Sequence, residues 1–256
     1  MLLGVENAPT ATRQGYWNTH AHELAHQWFG NSVTEREWGH LWLSEGFATY
    51  FAALYTAHAF GDSAFHAEMA GIRQTVVRAG VAAQRPVLDT AQTELMGLLN
   101  ANSYQKGGFV LHMLRSEVGD SAFFRAIRAY YAKHRHGTAL TDDLRAQMER
   151  EAARDLSWFF DQWLTRPGFI EATLRWEHDP ISGALTLVVT QGERFAPYRF
   201  PLRMEVVDGN GMSNHLLLDV PAARTARVVV PGRWQSVPRA FRTDPLVELL
   251  AVFRTP

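Results

Sequence analysis

Four residues near the start of the chain have the types and spacing of a metal site. His22 and His26 are four positions apart, and helical side chains at i and i+4 lie one above the other on one face. Both imidazoles can therefore reach a single ion. Glu23 projects about a quarter-turn away, where it can address a water molecule on the metal instead of the metal itself. Glu45 follows after eighteen intervening residues and is the natural third ligand.

This donor set predicts zinc-dependent hydrolysis. Zinc sites that do chemistry typically have three protein ligands and one open position, and the pKa of the water bound there falls to around 7. We expect His22, His26 and Glu45 to hold one Zn²⁺ per chain. Glu23 is then the general base, which takes a proton from the water and later delivers it to the leaving amine. The alternative is a helix whose histidines are merely surface polar groups.

Spacing also excludes other candidates. His20 lies two residues before His22 and so points to another face of the helix, away from the metal. The zinc-peptidase pattern with a third histidine requires glycine at position 29 and histidine at position 32. This chain has Phe29 and Ser32 there, so that class fails and a glutamate ligand from the following helix remains.

The stretch of residues 22–60 resembles the catalytic segment of the aminopeptidase N (membrane alanyl aminopeptidase) family of gluzincin zinc metallopeptidases. It reads HELAHQWFGNSVTEREWGHLWLSEGFATYFAALYTAHAF. Residues 103–107 resemble that family's Tyr-x-Lys-Gly element. Residues 158–163, with the Pro-Gly pair that follows, resemble its exit from the catalytic domain into a β-domain. The resemblance implies a zinc metallo-aminopeptidase that hydrolyses the first peptide bond of peptides with a free N-terminus.

The resemblance also implies roles for three further residues. Tyr104 matches the tyrosine that donates a hydrogen bond to the oxyanion formed when water attacks the peptide carbonyl. The segment 3–7 looks like the family's Gly-x-Met-Glu-Asn signature, with leucine and valine at its first and third positions. Glu6 and Asn7 are therefore the implied substrate-binding residues, with the Glu6 carboxylate pairing with the substrate's α-ammonium.

The chain departs from the family pattern at its front. Only sixteen positions separate Glu6 from His22, fewer than is usual in the family. The N-terminal β-domain and the sheet part of the catalytic domain, which precede the signature in the family, are not in these 256 residues. We expect an N-terminally truncated member, because the first residues lack a signal peptide's basic start and long apolar stretch and look like the interior of a longer protein.

Two other functions remain open from the sequence. One is a catalytically weak or inactive zinc-bound domain that binds peptides or a partner protein. The other is an endopeptidase that uses the same zinc ligands. With 25 basic and 26 acidic side chains, the net charge of −1 favours neither nucleic acid nor an anionic membrane surface as a partner. The chain has no cysteine for a thiolate ligand and no apolar run near the ~20 residues of a membrane helix. Oligomeric state and compartment stay undetermined.

The helices and strands predicted along the chain, which must position the candidate site residues, indicate an α+β protein. We expect a mainly helical, thermolysin-like zinc-peptidase catalytic half over residues 1–168, followed by a small β-sandwich over 169–256. Hydrophobic periodicity and capping signals predict helices over residues 17–29, 41–58, 64–79, 103–118, 121–134, 141–153 and 156–164, with a loop over 80–90. Alternation and β-branched residues predict strands over 173–177, 185–190, 202–207, 216–220 and 227–230.

The sequence also gives expectations for five other side chains near the zinc helices. Four aromatic residues are expected in the core rather than in contact with substrate, namely Trp28, Phe29, Trp38 and Trp42. Thr49 lies one turn after Glu45, where it could orient that ligand or face solvent.

Overall fold

The chain divides into two compact units in the computed structural model, which describes residues 9–255. The first unit ends at Gly168 and the second begins at Phe169. Helices dominate the first unit and strands the second, so the protein contains both classes of element. Glu6 and Asn7 lie outside the described residues. No described helix combines the length and the apolar character that a bilayer crossing requires.

The described part of the first unit is built from nine α-helices, two π-helical turns, one 3₁₀ turn and two short strands. The α-helices are α1 Thr10–Ala25, α2 Trp42–Phe60, α3 Asp62–Arg78, α4 Gly80–Gln84, α5 Leu95–Leu98, α6 Gly107–Val118, α7 Asp120–His134, α8 Thr141–Ala152 and α9 Ser157–Phe160. The π-helical turns are Asn102–Lys106 and Asp161–Thr165, and the 3₁₀ turn is Trp38–His40. The strands β1 Val33–Glu35 and β2 Gly137–Ala139 pair in parallel.

The predicted limits of the first helix are wrong at both ends. Helix α1 begins at Thr10, directly after Pro9, and ends at Ala25 instead of continuing to residue 29. It stops because the chain reverses at Gly30, which has a φ of 120°. The Gly30 amide donates to the Val33 carbonyl at 2.9 Å, and the Val33 amide donates to the Trp28 carbonyl at 3.0 Å. These bonds use backbone groups that a longer helix would have needed.

Two other predicted boundaries are also wrong. The segment expected to be a loop from residue 80 begins with the short helix α4. The helix expected from residue 103 opens as a π-helical turn and becomes α-helical only at Gly107. The parallel pair of β1 and β2 was not predicted, because each strand has only three residues and their pairing joins segments that are distant in sequence.

Helix α2 forms the centre of the first unit. Its Phe47 and Tyr50 side chains are completely buried, and it contacts α1, α3 and α6. It crosses α6 at backbone distance, because a Cβ on Gly46 would lie 2.8 Å from the carbonyl carbon of Gly107. Only glycine fits such a crossing without displacing a helix. The crossing places the start of α2 directly beside the π-helical turn that precedes α6.

The predicted aromatic core is correct for two residues and wrong for two. Phe29 and Trp42 are buried, whereas Trp28 is 46% exposed and Trp38 is 52% exposed. Trp28 lies beyond the end of α1 and lines an open apolar groove of about 460 Å³ between α1, α2 and α7. Trp38 lies in the 3₁₀ turn before α2. Trp28 follows the end of a helix and Trp38 lies within a turn. At such positions helical periodicity does not indicate whether a side chain faces the core or the solvent.

The second unit contains seven strands in two sheets. The strands are β3 Ile170–Asp179, β4 Ala184–Gln191, β5 Phe200–Val207, β6 Ser213–Val220, β7 Thr225–Val230, β8 Ala240–Thr243 and β9 Ala251–Arg254. One sheet has the order β7-β4-β3-β9 and the other β6-β5-β8. The two sheets meet through Phe200 and Phe253, whose ring centroids are 6.2 Å apart, and through Trp176 and Phe241 at 5.9 Å. The five predicted strands are present, and the two short strands β8 and β9 were missed.

Candidate metal centre

Three acceptor atoms converge at the end of α1 and the start of α2. His22 Nε2 and His26 Nε2 are 3.1 Å apart, and each lies 3.3 Å from Oε2 of Glu45. Among the described residues, this is the one group of three or more such side chains close enough to share a metal ion. The structure therefore brings together all three ligands expected from the sequence.

The spacing of these atoms fits a tetrahedral zinc ion. Zinc binds imidazole nitrogen and carboxylate oxygen at about 2.0–2.2 Å, so two tetrahedral ligand atoms lie roughly 3.3–3.5 Å apart. The observed separations of 3.1 and 3.3 Å need little adjustment. The buried Glu45 Oε2 has no hydrogen bond of good geometry, although both ring nitrogens are within ion-pair distance. An ionised carboxylate and two neutral imidazole nitrogens that converge on one point form an arrangement that a cation stabilises.

The backbone fixes the tautomer of His26. Its Nδ1 lies 3.0 Å from the carbonyl oxygen of Phe29, and a carbonyl can only accept. In the neutral imidazole the proton therefore sits on Nδ1, and Nε2 carries the lone pair that can bind a metal. The Ser44 hydroxyl also approaches Nδ1, at 3.3 Å. Such outer contacts orient metal-binding histidines in general.

Two of these contacts were not anticipated from the sequence. A Cβ on Gly30 would lie 2.5 Å from Ser44 Oγ and 3.1 Å from His26 Nδ1. Gly30 therefore leaves room for the groups that orient His26, besides providing the turn after α1. The sequence contained a signal for Gly30, because a glycine directly after a predicted helix suggests a positive φ. It contained none for Ser44, whose contact depends on how α1 and α2 pack.

The charges of the centre support one another. Burial favours the neutral form of Glu45, but the imidazoles of His22 and His26 beside it, which can carry positive charge, outweigh burial and lower the pKa of the carboxyl to about 2. The adjacent Glu45 carboxylate raises the pKa of His26, and this effect outweighs the opposing effect of burial. Glu45 is therefore ionised at neutral pH, which is the state that a metal ligand needs.

Glu23 follows His22 directly on α1. It is exposed and lies outside the three-atom cluster. Its negative charge contributes to the raised pKa of His26 and of Tyr104. It forms no hydrogen bond or ion pair with a residue that the structure describes. His20 instead points along its own helix, with Nδ1 2.8 Å from the Tyr16 carbonyl oxygen.

Tyr104 reaches the centre from the π-helical turn Asn102–Lys106. Its ring stacks on His22, with centroids 6.0 Å apart and planes 8° from parallel. Burial, together with the Glu45 carboxylate, raises the pKa of Tyr104 to about 12. The hydroxyl therefore keeps its proton at neutral pH and can donate a hydrogen bond.

Thr49 is partly exposed and packs against the neighbouring helix α6. Its methyl carbon would lie 3.0 Å from a Cβ on Gly108, so it packs where α2 crosses α6. The described structure gives it no hydrogen bond to a metal ligand.

Comparison with known proteins finds one family model that matches most of the chain. The Peptidase family M1 domain matches residues 1–163. Aminopeptidase N of Lactococcus lactis subsp. lactis is 33% identical over 174 residues, and Aminopeptidase M1 of Arabidopsis thaliana is 31% identical over 172. Each alignment covers 66% of this chain and 20% of the relative. Probable aminopeptidase 1 of Sulfurisphaera tokodaii is 30% identical over 227 residues, which are 85% of this chain and 28% of that protein.

A solved structure matches the fold over nearly all of the chain. Legionella pneumophila aminopeptidase A, in complex with aspartic acid, superposes with a TM-score of 0.73 and 20% sequence identity. The match covers 93% of this chain and 26% of that one. This chain therefore spans between 20% and 28% of the length of these proteins.

Proposed function

Because this chain belongs to peptidase family M1, we propose that it is the zinc-binding part of a metallo-aminopeptidase. Its substrates are peptides with a free N-terminus, and the reaction is hydrolysis of their first peptide bond. We also assign residues 1–168 to a thermolysin-like catalytic domain and residues 169–256 to a β-sandwich domain. The observation that carries the proposal is the convergence of His22, His26 and Glu45 at tetrahedral zinc spacing.

The residues around the centre have complementary roles in this reaction. When bound, zinc supplies Lewis acidity and lowers the pKa of water. Glu23 accepts the proton of the attacking water and returns it to the leaving amine. Tyr104 donates its hydroxyl hydrogen to the peptide carbonyl oxygen as negative charge develops there. Its neutral state near pH 7 and its stacking on His22 support this role.

Glu6 and Asn7 bind the substrate so that its first peptide bond is the one that is hydrolysed. A carboxylate at Glu6 pairs with the substrate's α-ammonium and so fixes which bond reaches the centre. This assignment rests on the resemblance of segment 3–7 to the family signature.

A second candidate is a zinc-bound domain that binds peptides or a partner without hydrolysing them. The observation that favours it is coverage, because the chain spans only 20% of Aminopeptidase N of Lactococcus lactis subsp. lactis. The remaining length of such relatives has no counterpart in the aligned residues of this chain.

The Glu23→Gln variant tests the proposed reaction. Amide and carboxylate have similar shape, so the variant should bind zinc like the wild type yet lose about 10²–10⁴ in kcat, because the general base is gone. A fluorogenic aminoacyl-amide panel gives the rate, and metal analysis of the purified chain gives the zinc content. Loss of zinc from the variant, or unchanged turnover, would refute the assignment of the base.

The same panel separates the alternatives. Turnover that chelator abolishes supports the enzyme, whereas tightly bound zinc without turnover in the wild type supports the binding module. An N-acetylated substrate distinguishes the endopeptidase, which would still cleave it.

A further inference from the structure

A second groove lies beside the candidate centre within the first unit. It has a volume of about 360 Å³ and runs between the N-terminal half of α1, helix α3 and the π-helical turn Asn102–Lys106. Its polar lining consists of Gln14, Glu68, Thr75 and Gln105. No arginine or lysine is among the described residues that line it.

The groove and the centre share two structural elements. Gln105 directly follows Tyr104, whose ring stacks on His22. Gln14 is on the same helix as His22, eight residues earlier, which corresponds to about 12 Å along the axis at 1.5 Å per residue. A chain that leaves the centre along α1 would therefore enter this groove.

Among the described residues that line the groove, Glu68 is the charged one, and no described residue supplies a counter-charge. It is half-buried in α3 and forms no hydrogen bond or ion pair with a described residue. Its burial raises the pKa of the carboxyl, which reflects the cost of removing it from water without a partner. The Thr75 hydroxyl does not relieve this cost, because it bonds to the Gly71 carbonyl at 3.1 Å. A cation that enters the groove would supply the missing partner.

We propose that Glu68 binds a lysine or arginine side chain of the substrate, two to four residues beyond the scissile bond. This inference rests on the proposed function, since an aminopeptidase holds only one residue on the amino side of that bond. The part of the groove at Gln14, about 12 Å from His22 along the axis of α1, must then face the leaving product. An extended peptide advances about 3.3 Å per residue, so that distance corresponds to three or four residues. Because a lysine side chain is long, a lysine only two residues beyond the scissile bond can also reach the groove.

A lysine scan tests the proposal. A single lysine is moved through positions 3 to 6 of an alanine hexapeptide amide with an N-terminal leucine, and norleucine replaces it in the matched peptides. We expect kcat/KM to be about tenfold higher for lysine than for norleucine at one or more of positions 3 to 5, since a partly desolvated, charge-assisted bond has about this effect. Position 6 should show no preference.

Two variants identify the carboxylate responsible. Glu68→Gln should abolish the preference for lysine while cleaving the norleucine peptides as the wild type does. Glu193→Gln removes one exposed negative charge from the second unit and should keep the preference. Equal cleavage of both peptide sets by the wild type, or a preference that survives in Glu68→Gln, would overturn the assignment.

Failure of the proposed function gives a different result from failure of this inference. If no peptide is cleaved, the proposed reaction fails, and the same peptides are then tested for binding to the zinc-loaded chain by fluorescence anisotropy. Lysine-dependent binding that Glu68→Gln removes supports the groove assignment even then, and its absence overturns it. If all peptides are cleaved alike, the reaction stands and the assignment of Glu68 falls.

Discussion

At the scale of single residues, the candidate centre brings hydrogen-bond acceptor atoms closer together than is favourable without a cation between them. His22 Nε2 and His26 Nε2 are 3.1 Å apart, and the Phe29 carbonyl already holds the proton of His26 on Nδ1. In the neutral ring, Nε2 of His26 is then a hydrogen-bond acceptor, and so are both oxygens of an ionised Glu45. A bound cation resolves this repulsion, and for that reason we consider the site to be organised for a metal before the metal arrives.

The contribution of Tyr104 is testable by removing one oxygen atom. Tyr104→Phe should retain zinc and lose about 10²–10³ in kcat with little change in KM, because the lost hydrogen bond forms only as the oxyanion develops. Steady-state kinetics on an aminoacyl-amide substrate measure both constants. A change confined to KM would show that the hydroxyl binds substrate rather than the transition state.

At the scale of elements, the π-helical turn Asn102–Lys106 links the site to the core. It points Tyr104 toward His22 and the completely buried Lys106 into the interior. The turn is kept in place by Asn102, whose side-chain amide donates to the Arg85 carbonyl at 2.9 Å and to the Pro86 carbonyl at 3.0 Å. Irregular helical turns are frequent at functional sites, and here the irregularity sends neighbouring side chains in different directions.

Burial of Lys106 should make stability depend on pH. Burial lowers the pKa of Lys106 to about 7, and its ammonium nitrogen lies 3.4 Å from the Arg166 carbonyl oxygen. An unfolded lysine titrates near 10.4, so from about pH 7 to pH 10 the unfolded chain binds more protons than the folded one. The free energy of unfolding should therefore rise with pH across that window, with the penalty fully present below pH 7.

The Lys106→Met variant isolates this effect. Denaturant unfolding at pH 7 and pH 9 should show the wild type gaining about 2 kcal/mol relative to the variant, since one proton over two pH units corresponds to roughly that amount. The variant should also be the more stable protein at pH 7. Parallel pH profiles would show that Lys106 keeps its ordinary pKa in the folded chain.

At the scale of the whole molecule, the three proposed metal ligands all belong to the first of two compact units. Chelation of zinc should therefore lower the melting temperature of one calorimetric transition and leave the other unchanged. At a zinc concentration of 100 times its Kd, binding adds about 2.7 kcal/mol, which corresponds to several degrees for a unit of this size.

The control for this experiment is His26→Ala, which removes one ligand and should melt alike with and without chelator. Isolated residues 169–256, if they fold, should reproduce the chelator-insensitive transition. A chelator-dependent shift in both transitions would show that the two units unfold together.

Part of the architecture could be predicted from local patterns. The long helices α2, α3, α7 and α8 were anticipated, because periodicity and capping residues repeat over many positions. The shorter α4 and β9 were not, since their few residues carry little local signal and tertiary partners decide them. The exposed faces of Trp28 and Trp38 were missed for a related reason. Both lie where helical periodicity ends.

The sequence by itself determined which atoms could bind a metal, because the four-residue spacing of His22 and His26 fixes their common face in any helix. Only the tertiary structure decided that Glu45 and Tyr104 join them, since α2 must cross α6 at Gly46 for those side chains to meet at one point. It alone placed Glu68 in a groove beside them. Helix geometry acts over a few residues and is encoded locally. The contacts that bring Glu45, Tyr104 and Glu68 near the histidine pair depend instead on packing between segments far apart in the chain.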